Sequence, residues 1–414
     1  MNRKQLTIVL VLGLVLGGLA WWRTRHDAAS YQSTGAQMGQ KLLPDFPLND
    51  VGQVVIQEGT NLLTLARSDE VWKVRDRYDY PANFTQIGDL LRKLWDLKVV
   101  QSDQADDAEL ARLQLLEPGK GTNSATLVEF KTDAGKAVSS VLLGKKSMKK
   151  GDPSSPFGGE GYPSGRFVLV PGRSKQIALI SDALSEIEGK PDRWLNKDFF
   201  KVEKLKTMTV THPAATNSWK LYREIENGEL KLADPQGEEK LDTGKSSSAG
   251  SALSYPSFTD VVSPQAKPEE TGLDQPITAK IETFEGFTYT VKTGKKTAED
   301  NYHFAFSVAG EFAKERTPGT DEKPEDKEKL DKEFKEKLTK LEEKLKADKA
   351  YEKWTYLVSK WTIDALLKER KDLLVEKKDE KKGEAAAVNA QPDEPPSALR
   401  DPDADADEPK DEPK

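Results

Sequence analysis

The chain has 414 residues, of which 36% are hydrophobic and 32% are charged, and its formal net charge at pH 7 is −7. It contains no cysteine, which excludes disulfides, thiol catalysis and zinc or iron–sulfur sites with cysteine ligands. Its three histidines, His26, His212 and His303, are far apart in the sequence, so a histidine metal site or a catalytic triad is not expected. An acidic chain without a concentrated basic face also argues against nucleic acid as a partner.

An apolar run from Leu6 to Ala20 is the most informative feature of the N-terminus. With the two tryptophans that follow, the run reaches roughly 17 residues, at the short end of what spans a bilayer as a helix. A cleaved signal peptide has a similar apolar length, but tryptophans stand here where a small-x-small cleavage site would be. Tryptophans followed by arginines are typical of a helix that remains in the membrane. The sequence therefore favours an uncleaved anchor within residues 1–25 over a cleaved signal peptide or a buried soluble helix.

The anchor is expected to contact lipid through its large apolar side chains. These residues are Leu6, Ile8, Val9, Leu10, Leu12, Leu14, Leu16, Leu19, Trp21 and Trp22. Basic residues flank the run, Arg3 and Lys4 before it and Arg23 and Arg25 after it, so the positive-inside comparison is nearly balanced. Because the N-terminal segment is short and the following part is long and acidic, we expect the N-terminus inside. Residues from 26 onward would then lie outside the cytoplasmic membrane of a bacterium.

The rest of the chain is predicted to be a duplicated α+β fold. A polar linker, residues 26–45, precedes a first unit at 46–200 and a second at 205–377, each with mainly antiparallel strands and one or two helices. Alternating apolar runs predict strands at 54–56, 62–65 and 71–74 in the first unit, and at 208–211 and 219–222 in the second. Trp72 and Trp219 are expected to occupy corresponding strand positions. Residues 378–414 are rich in Pro, Ala and acid, which indicates a disordered tail.

Later elements of the two units also match. Hairpins are predicted at 126–146 and 279–296, and the second strand of each ends in Gly-Lys-Lys. Each unit is expected to close with a strand and a helix, at 167–170 and 177–187 in the first and at 354–358 and 363–374 in the second. An amphipathic helix from Phe84 to Leu97, with Asn83 as its N-cap, is predicted in the first unit. Its shorter counterpart is expected to begin at 246–248.

The second unit carries a charged insertion, Glu322–Ala350, which is almost entirely Glu, Lys and Asp. It is expected to stand where the first unit has the Gly/Pro-rich loop 151–165. Apolar residues recur within it at spacings of 4, 4, 3 and 4, which predicts a helix with a narrow apolar seam, as in a coiled-coil arm. The seam residues are Leu330, Phe334, Leu338, Leu341 and Leu345. The helix either lies on its own domain or projects and pairs with a partner helix, and disorder is the third alternative.

Three motifs resemble catalytic or binding signatures but lack essential parts. Gly244-Lys245-Ser246 resembles the end of a phosphate-binding loop, yet the glycine required five positions earlier is Glu239. Ser147-Met148-Lys149-Lys150 and Lys292-Thr293-Gly294 match two motifs of penicillin-recognising enzymes, but no Ser-x-Asn motif occurs in the chain. We therefore expect no catalytic residues, no metal site, no cofactor and no nucleotide.

Six tryptophans outside the N-terminal segment are candidates for a binding groove. They are Trp72, Trp95, Trp194, Trp219, Trp354 and Trp361. Each lies within an apolar strand or helix pattern, so packing in the core is favoured over a sugar or peptide groove. Exposed tryptophan side chains in a groove would instead favour a ligand-binding module.

Several of these segments together resemble a known family. The segments are Val71-Trp72-Lys73-Val74, Pro81, the helix Phe84 to Leu97, the ending Leu97-Lys98-Val99-Val100 and the hairpin edge Leu143-Gly144-Lys145. With the N-terminal span, they resemble the bacterial domain-of-unknown-function family 4340 (DUF4340), over residues 46–200 and, less closely, 205–375. The resemblance implies an envelope protein associated with ABC-type transport components like those of the gliding-motility system, and it transfers no catalytic residue.

The expected function is that of a non-catalytic, membrane-anchored accessory or scaffold component of such a transport system. Its partners would be the membrane and integral membrane transport subunits. The alternative is an extracytoplasmic module that binds a glycan or a peptide. A hydrolase ranks last, because no catalytic constellation is present in the motifs.

Overall fold

Two antiparallel β-sheets follow one another along the chain and are accompanied by few helices. The computed structural model describes residues 38–149, 161–172, 175–318 and 322–376. This arrangement confirms the predicted α+β class.

The first sheet has nine strands in the part of the chain described. They are β1 (Gln53–Glu58), β2 (Asn61–Ser68), β3 (Val71–Val74), β4 (Tyr80–Pro81), β5 (Val99–Gln104), β6 (Thr126–Lys131), β7 (Ala137–Lys149), β8 (Tyr162–Leu169) and β9 (Gln176–Ile180). The second sheet has eight strands in the same described ranges. They are β10 (Leu205–Thr211), β11 (Trp219–Tyr222), β12 (Lys231–Leu232), β13 (Asp260–Val261), β14 (Ile277–Thr283), β15 (Phe287–Lys296), β16 (Asn301–Gly310) and β17 (Tyr356–Ser359).

The described helices are mostly short. They are α1 (Phe84–Asp96), α2 (Asp107–Arg112), α3 (Thr243–Gly250), α4 (Pro268–Thr271), α5 (Lys327–Tyr351) and α6 (Lys360–Leu367). Single 3₁₀ turns lie at Leu48–Asp50, Arg75–Arg77, Pro191–Trp194, Ala215–Asn217 and Arg370–Leu373.

The two sheets have the same strand order. The first runs β4-β3-β2-β1-β6-β7-β8-β9-β5 and the second runs β12-β11-β10-β14-β15-β16-β17-β13. In each sheet, the chain first forms a meander, β1 to β4 or β10 to β12, and then a strand at the opposite edge, β5 or β13. A four-stranded meander, β6 to β9 or β14 to β17, then fills the space between the first meander and that edge strand. Only β4 lacks a counterpart among the described strands. The topology thus repeats along the chain as the sequence analysis expects.

The two predicted hairpins also share their register. Leu143 of β7 pairs with the first residue of β6, Thr126, and Thr293 of β15 pairs with the first residue of β14, Ile277. The pairing of each second strand with its next neighbour then becomes irregular at the Gly-Lys-Lys sequence, between Leu143 and Lys146 and between Thr293 and Lys296. The same bulge therefore occurs at the same point of both sheets.

Glycine is required at both bulges because a neighbouring carbonyl lies against the Cα atom. A Cβ atom on Gly144 would overlap the carbonyl oxygen of Leu113, just after α2, and one on Gly294 would overlap that of Thr271, at the end of α4. In both sheets, the short helix before the hairpin thus packs its C-terminal end on the glycine. This packing explains why the glycine recurs at this point of both sheets.

The predicted helix in the first unit is α1. The Asn83 side chain accepts a hydrogen bond from the Gln86 backbone N–H at 3.1 Å, which confirms the N-cap. The buried face consists of Ile87, Leu90, Leu91 and Leu94. Phe84 is exposed, although the sequence pattern placed it on the buried face.

Three expectations about the repeat are wrong. Trp72 lies in β3, the third strand of its meander, whereas Trp219 lies in β11, the second strand of its own, so the two do not correspond. The segment 177–187 begins in strand β9 and forms no helix. The charged insertion lies between β16 and β17, which matches the connection between β8 and β9 rather than the loop 151–165.

The two sheets share one hydrophobic core instead of forming separate domains. Tyr80 of β4 is 1% exposed, and its ring lies 5.7 Å from Phe258, 5.0 Å from Trp354 and 6.3 Å from Tyr356, all parts of the second half of the chain. Beside this cluster the Arg77 Nε atom donates to Asp260 at 2.6 Å. The first strand of the second sheet, β10, begins at Leu205. The predicted boundary at residues 200–205 thus separates the strands of the two sheets but not their hydrophobic core.

Candidate partner-binding helix

The charged insertion folds as α5, a helix of 25 residues. Along its outer face, Lys329 and Lys332 approach Glu333 and Glu336, respectively, at 3.9 Å and i,i+4 spacing. Exposed pairs of this kind stabilise a helix by only about 0.3–0.5 kcal/mol each. The position of α5 therefore depends on other contacts, among them those of its apolar seam, whose five residues are all half-buried.

The C-terminal half of α5 is held by its own domain. Leu341 and Leu345 pack against the shared core, and Leu345 lies against Gly310 at the end of β16. The Glu352 carboxylate, just after the helix, accepts a hydrogen bond from the Val308 backbone N–H at 2.5 Å. These contacts support the interpretation that the helix lies on its own domain, over this half of its length.

A buried carboxylate fixes the same half more firmly. Asp348 is 4% exposed, and it accepts hydrogen bonds from the Tyr289 hydroxyl at 2.8 Å and from Lys344 Nζ at 3.1 Å. Burial and the adjacent Asp348 charge raise the pKa of Tyr289, so that its hydroxyl stays protonated and donates. Lys344 Nζ also donates to the Lys201 carbonyl at 2.9 Å. The helix is thus connected by hydrogen bonds to β15 and to the segment before β10.

Replacing Asp348 by alanine should lower the free energy of unfolding by about 2 kcal/mol, because a buried hydroxyl and an ammonium group lose their acceptor. Tyr289→Phe, which removes only the hydroxyl, is the matched control and should cost about 1 kcal/mol. Urea unfolding of the two single variants and the double variant measures the coupling between them. Additive effects would show that the hydrogen bond does not stabilise the packed helix.

The N-terminal half of α5, together with Leu341 just past its midpoint, borders an open groove. Phe334, Leu338 and Leu341 form one wall, and Phe284 and Phe312 lie opposite them. The groove has a volume of ≈ 350 Å³, and Glu285, Glu311 and Lys337 are the charged residues along it. The Phe312 ring packs edge-to-face against Phe287, with 5.0 Å between centroids, which supports this wall.

The start of the helix is clamped by an ion-pair cluster. Arg316 Nε donates to Asp331 at 2.9 Å, and its two terminal nitrogens donate to the Glu322 carboxylate. The hydrogen bonds to Glu322 and Asp331 raise the pKa of Arg316. Both ends of α5 are therefore held, and the groove lies between the two attachments.

The motifs that resemble binding or catalytic signatures have structural roles or lie apart. Asp242 caps α3 by accepting from the backbone N–H groups of Gly244 and Lys245 at 2.9 and 3.0 Å, so its carboxylate occupies the place of a bound phosphate. Ser147 lies in β7 of the first sheet, and Thr293 lies in β15 of the second. These two motifs are thus on different sheets.

No group of three or more His, Asp or Glu residues that could hold a metal ion is found in the described ranges. The same ranges contain no helix that is both long enough and apolar enough to cross a bilayer. The anchor predicted for Leu6 to Ala20 lies outside the described residues, as do most of the linker 26–45 and the tail 378–414.

The tryptophans divide into two groups. Trp72, Trp194, Trp219 and Trp354 are buried, as core packing requires, and Trp219 Nε1 donates to the Lys368 carbonyl at 2.7 Å. Trp95 and Trp361 are exposed, and for them the core prediction is wrong. Both lie in helices, Trp95 in α1 and Trp361 in α6.

The sequence predicted the apolar seam of α5 but not the other residues that hold the helix or border its groove. Asp348 continues the spacing of Leu341 and Leu345 by three residues, so extending the seam would have revealed it as a polar residue on the packed face. Phe284 and Phe312 gave no such signal, because they come from distant turns that only the sheet topology brings to the helix.

The family described as Domain of unknown function (DUF4340) matches residues 72–276. This part of the chain belongs to the DUF4340 family. Searches of curated proteins and of solved structures found no match.

The DUF4340 match begins in β3 and ends directly before β14. It therefore covers most of the first sheet and the opening meander of the second, whereas the resemblance was placed over residues 46–200 and, less closely, 205–375. Helix α5 and all of the residues that line its groove lie beyond the DUF4340 match. The candidate surface thus lies outside the part of the chain that matches the family.

Proposed function

We propose that this DUF4340 protein is a non-catalytic, single-span membrane protein of the bacterial envelope, an accessory or scaffold component of an ABC-type transport system. The observation that carries the proposal is helix α5, which is fixed at both ends and leaves an apolar groove beside its N-terminal half. An enzyme needs convergent reactive groups, whereas a scaffold needs a rigid element that presents an apolar surface with a charged rim.

The membrane part of the proposal rests on the sequence. The run Leu6 to Ala20, with Trp21 and Trp22 at its end, has the pattern of a retained anchor. The association with transport components comes from the resemblance to DUF4340 proteins. An integral membrane transport subunit would lie close to α5 at the membrane surface, because the anchor holds the protein in the same bilayer as that subunit.

The groove suits a partner helix. Its apolar wall, Phe334, Leu338 and Leu341, follows i,i+4 and i,i+3 spacing, which allows a second helix to pack along it. The charges along the groove, Glu285, Glu311 and Lys337, would set the orientation of that helix. A projecting segment of a transport subunit with apolar residues at helical spacing is therefore the proposed occupant.

A double substitution in the groove wall, called the seam variant, tests the groove. Phe334→Ser and Leu338→Ser together should abolish recovery of the transport subunits when the protein is pulled down from detergent-solubilised membranes. The matched control is Lys329→Ser with Glu333→Ser on the exposed outer face, which should leave recovery unchanged. The subunits are identified by mass spectrometry as an ABC permease or its ATPase.

The stability of the seam variant separates docking from folding. Leu341, Leu345 and Asp348 remain in place, so the midpoint of thermal unfolding should change little. If the seam variant unfolds the second sheet, the N-terminal half of α5 belongs to the core and the docking proposal fails. If recovery of the transport subunits persists in the folded seam variant, the groove is not their contact.

The topology is tested separately. Alkaline phosphatase fused after Lys377 should be active, because the fusion point is proposed to lie outside the cytoplasmic membrane. A fusion of the same enzyme before Leu6 provides the inactive control. An inactive fusion after Lys377, with the protein present at normal levels, would contradict the proposed orientation.

The alternative is a module that binds a soluble ligand. A groove of ≈ 350 Å³ lies within the volume range of small-molecule sites, roughly 300–1,000 Å³. Saturable binding of a glycan or peptide, with no membrane protein recovered in the pull-down, would favour this alternative.

A further inference from the structure

The chain joins the first sheet at a fixed place. Gly39 N–H donates to the Val99 carbonyl at 2.8 Å, Val99 N–H donates to the Gln40 carbonyl at 2.9 Å, and Leu42 N–H donates to the Leu97 carbonyl at 2.8 Å. The first described residues thus form a short antiparallel extension beside the beginning of β5. The segment that arrives from the N-terminus is therefore attached to the edge of the sheet.

Exposed apolar side chains surround this attachment. Met38 precedes Gly39 and is 63% exposed, Val100 follows Val99 and is 40% exposed, and Trp95 at the end of α1 is 45% exposed. Lys41 Nζ lies 3.1 Å from the centroid of the Trp95 ring. We call these four residues, together with the exposed Lys98, the N-terminal patch.

The composition of the N-terminal patch is that of a membrane interface. Tryptophan and lysine both have a long apolar part and a polar end, and both concentrate where hydrocarbon meets lipid headgroups. The two lysines complement anionic headgroups, and Asp96 is the acidic residue next to Trp95 in the chain. Nothing in the core requires Met38, Trp95 or Val100, since all three are exposed.

The sequence indicates what covers the N-terminal patch. The apolar run ends at Ala20, and residues 21–37 connect it to Met38. A tether of this length keeps the attached end of the domain close to the bilayer and gives the patch a high effective concentration at the lipid surface. The edges of the two sheets that lie far from Met38 are not held close to the bilayer by this tether.

We propose that the N-terminal patch lies on the lipid headgroups of the membrane that holds the anchor, and so sets the orientation of the two sheets relative to the bilayer. This inference rests on the proposed anchor. The occupant is the lipid surface itself, through its headgroups and the outermost acyl carbons, and a contact with a transport subunit is an outcome of the test.

The absence of native cysteine makes the test direct. The full chain carrying Val100→Cys is labelled with the fluorophore NBD and reconstituted in vesicles that contain anionic lipid. We expect blue-shifted NBD emission and quenching by lipids with a doxyl group near the headgroup. Ile225→Cys, an exposed position between β11 and β12, is the control and should show neither effect. Met38→Cys provides a second position in case the label perturbs β5.

Each outcome decides the inference. Trp95→Ser with Lys41→Ser should reduce the quenching at Val100 while the chain still resists extraction by carbonate. If the NBD emission at both Val100 and Met38 stays water-like in a chain that resists carbonate extraction, the contact of the patch with lipid is contradicted, whereas the anchor is not. If carbonate extracts the chain from the vesicles, the proposed anchor is contradicted, and the lipid contact of the patch, which rests on it, is contradicted too. Quenching that appears only when transport subunits are present assigns the patch to a protein contact and overturns the lipid contact.

Discussion

Replacing Tyr80 by alanine should lower the free energy of unfolding by about 3–5 kcal/mol, the range found when a large aromatic side chain is removed from a core. Tyr80 belongs to the first sheet, but its ring is enclosed by Phe258, Trp354 and Tyr356. The cavity would therefore lie where the two sheets join. Edge-to-face aromatic contacts of this kind add about 0.5–1.5 kcal/mol beyond the buried area.

Tyr80→Phe is the matched control, because it keeps the ring and removes only the hydroxyl. Burial raises the pKa of Tyr80, so the group lost is a neutral phenol and the cost should not exceed about 1.5 kcal/mol. Urea unfolding followed by tryptophan fluorescence measures both variants. If the alanine and phenylalanine variants unfold at the same urea concentration, the aromatic cluster does not hold the sheets together.

Gly144→Ala and Gly294→Ala should each lower the free energy of unfolding by about 3 kcal/mol, the upper part of the range for overpacking. In both, the new Cβ atom would overlap a backbone carbonyl, of Leu113 and of Thr271, which cannot move without displacing the short helix before it. The two sheets should thus respond alike to the same change.

The control for this pair is Gly88→Ala within α1. A Cβ atom there would meet only the end of the flexible Arg92 side chain, at 4.0 Å. Alanine is the better helix former, so this variant should be more stable by about 0.5–1 kcal/mol. Tolerance of alanine at one bulge glycine and not at the other would show that the two bulges are not equivalent.

Local patterns predicted the elements that depend on nearby residues. The helix α1 follows from the spacing of Ile87, Leu90, Leu91 and Leu94 and from the Asn83 cap, all within one short segment. Both hairpins follow from alternating apolar residues and from a glycine-containing turn. The repeated topology followed from these matches, because each hairpin has the same position in its sheet.

Errors arose where a short apolar run has two interpretations. The segment 177–187 begins with Ile177, Leu179 and Ile180 in strand β9, and a buried strand of this length has no period that distinguishes it from a helix. The strand then ends in a turn, in which Asp182 accepts from the Leu184 backbone N–H at 2.8 Å. Leu184 adopts the left-handed conformation, with φ +44°, which a helix does not allow.

The seam of α5 shows the limit of sequence reasoning about the candidate surface. Its five apolar residues and its helical form could be predicted from spacing alone. The sequence could not show that Leu345 would pack against the core, that Phe334 and Leu338 would border a groove, and that Leu341 would do both. That division depends on where β16 ends and where the turn before β15 lies, which are properties of the folded sheet.

The shared aromatic core has a consequence for the history of the chain. A duplicated domain can usually lose one copy and survive, because each copy buries its own apolar residues. Here the surface of Tyr80 is covered only after Phe258, Trp354 and Tyr356 have been synthesised. A product truncated near residue 200 would expose that surface and become a target for proteolysis. Loss of either copy would therefore expose apolar residues that the other copy now covers.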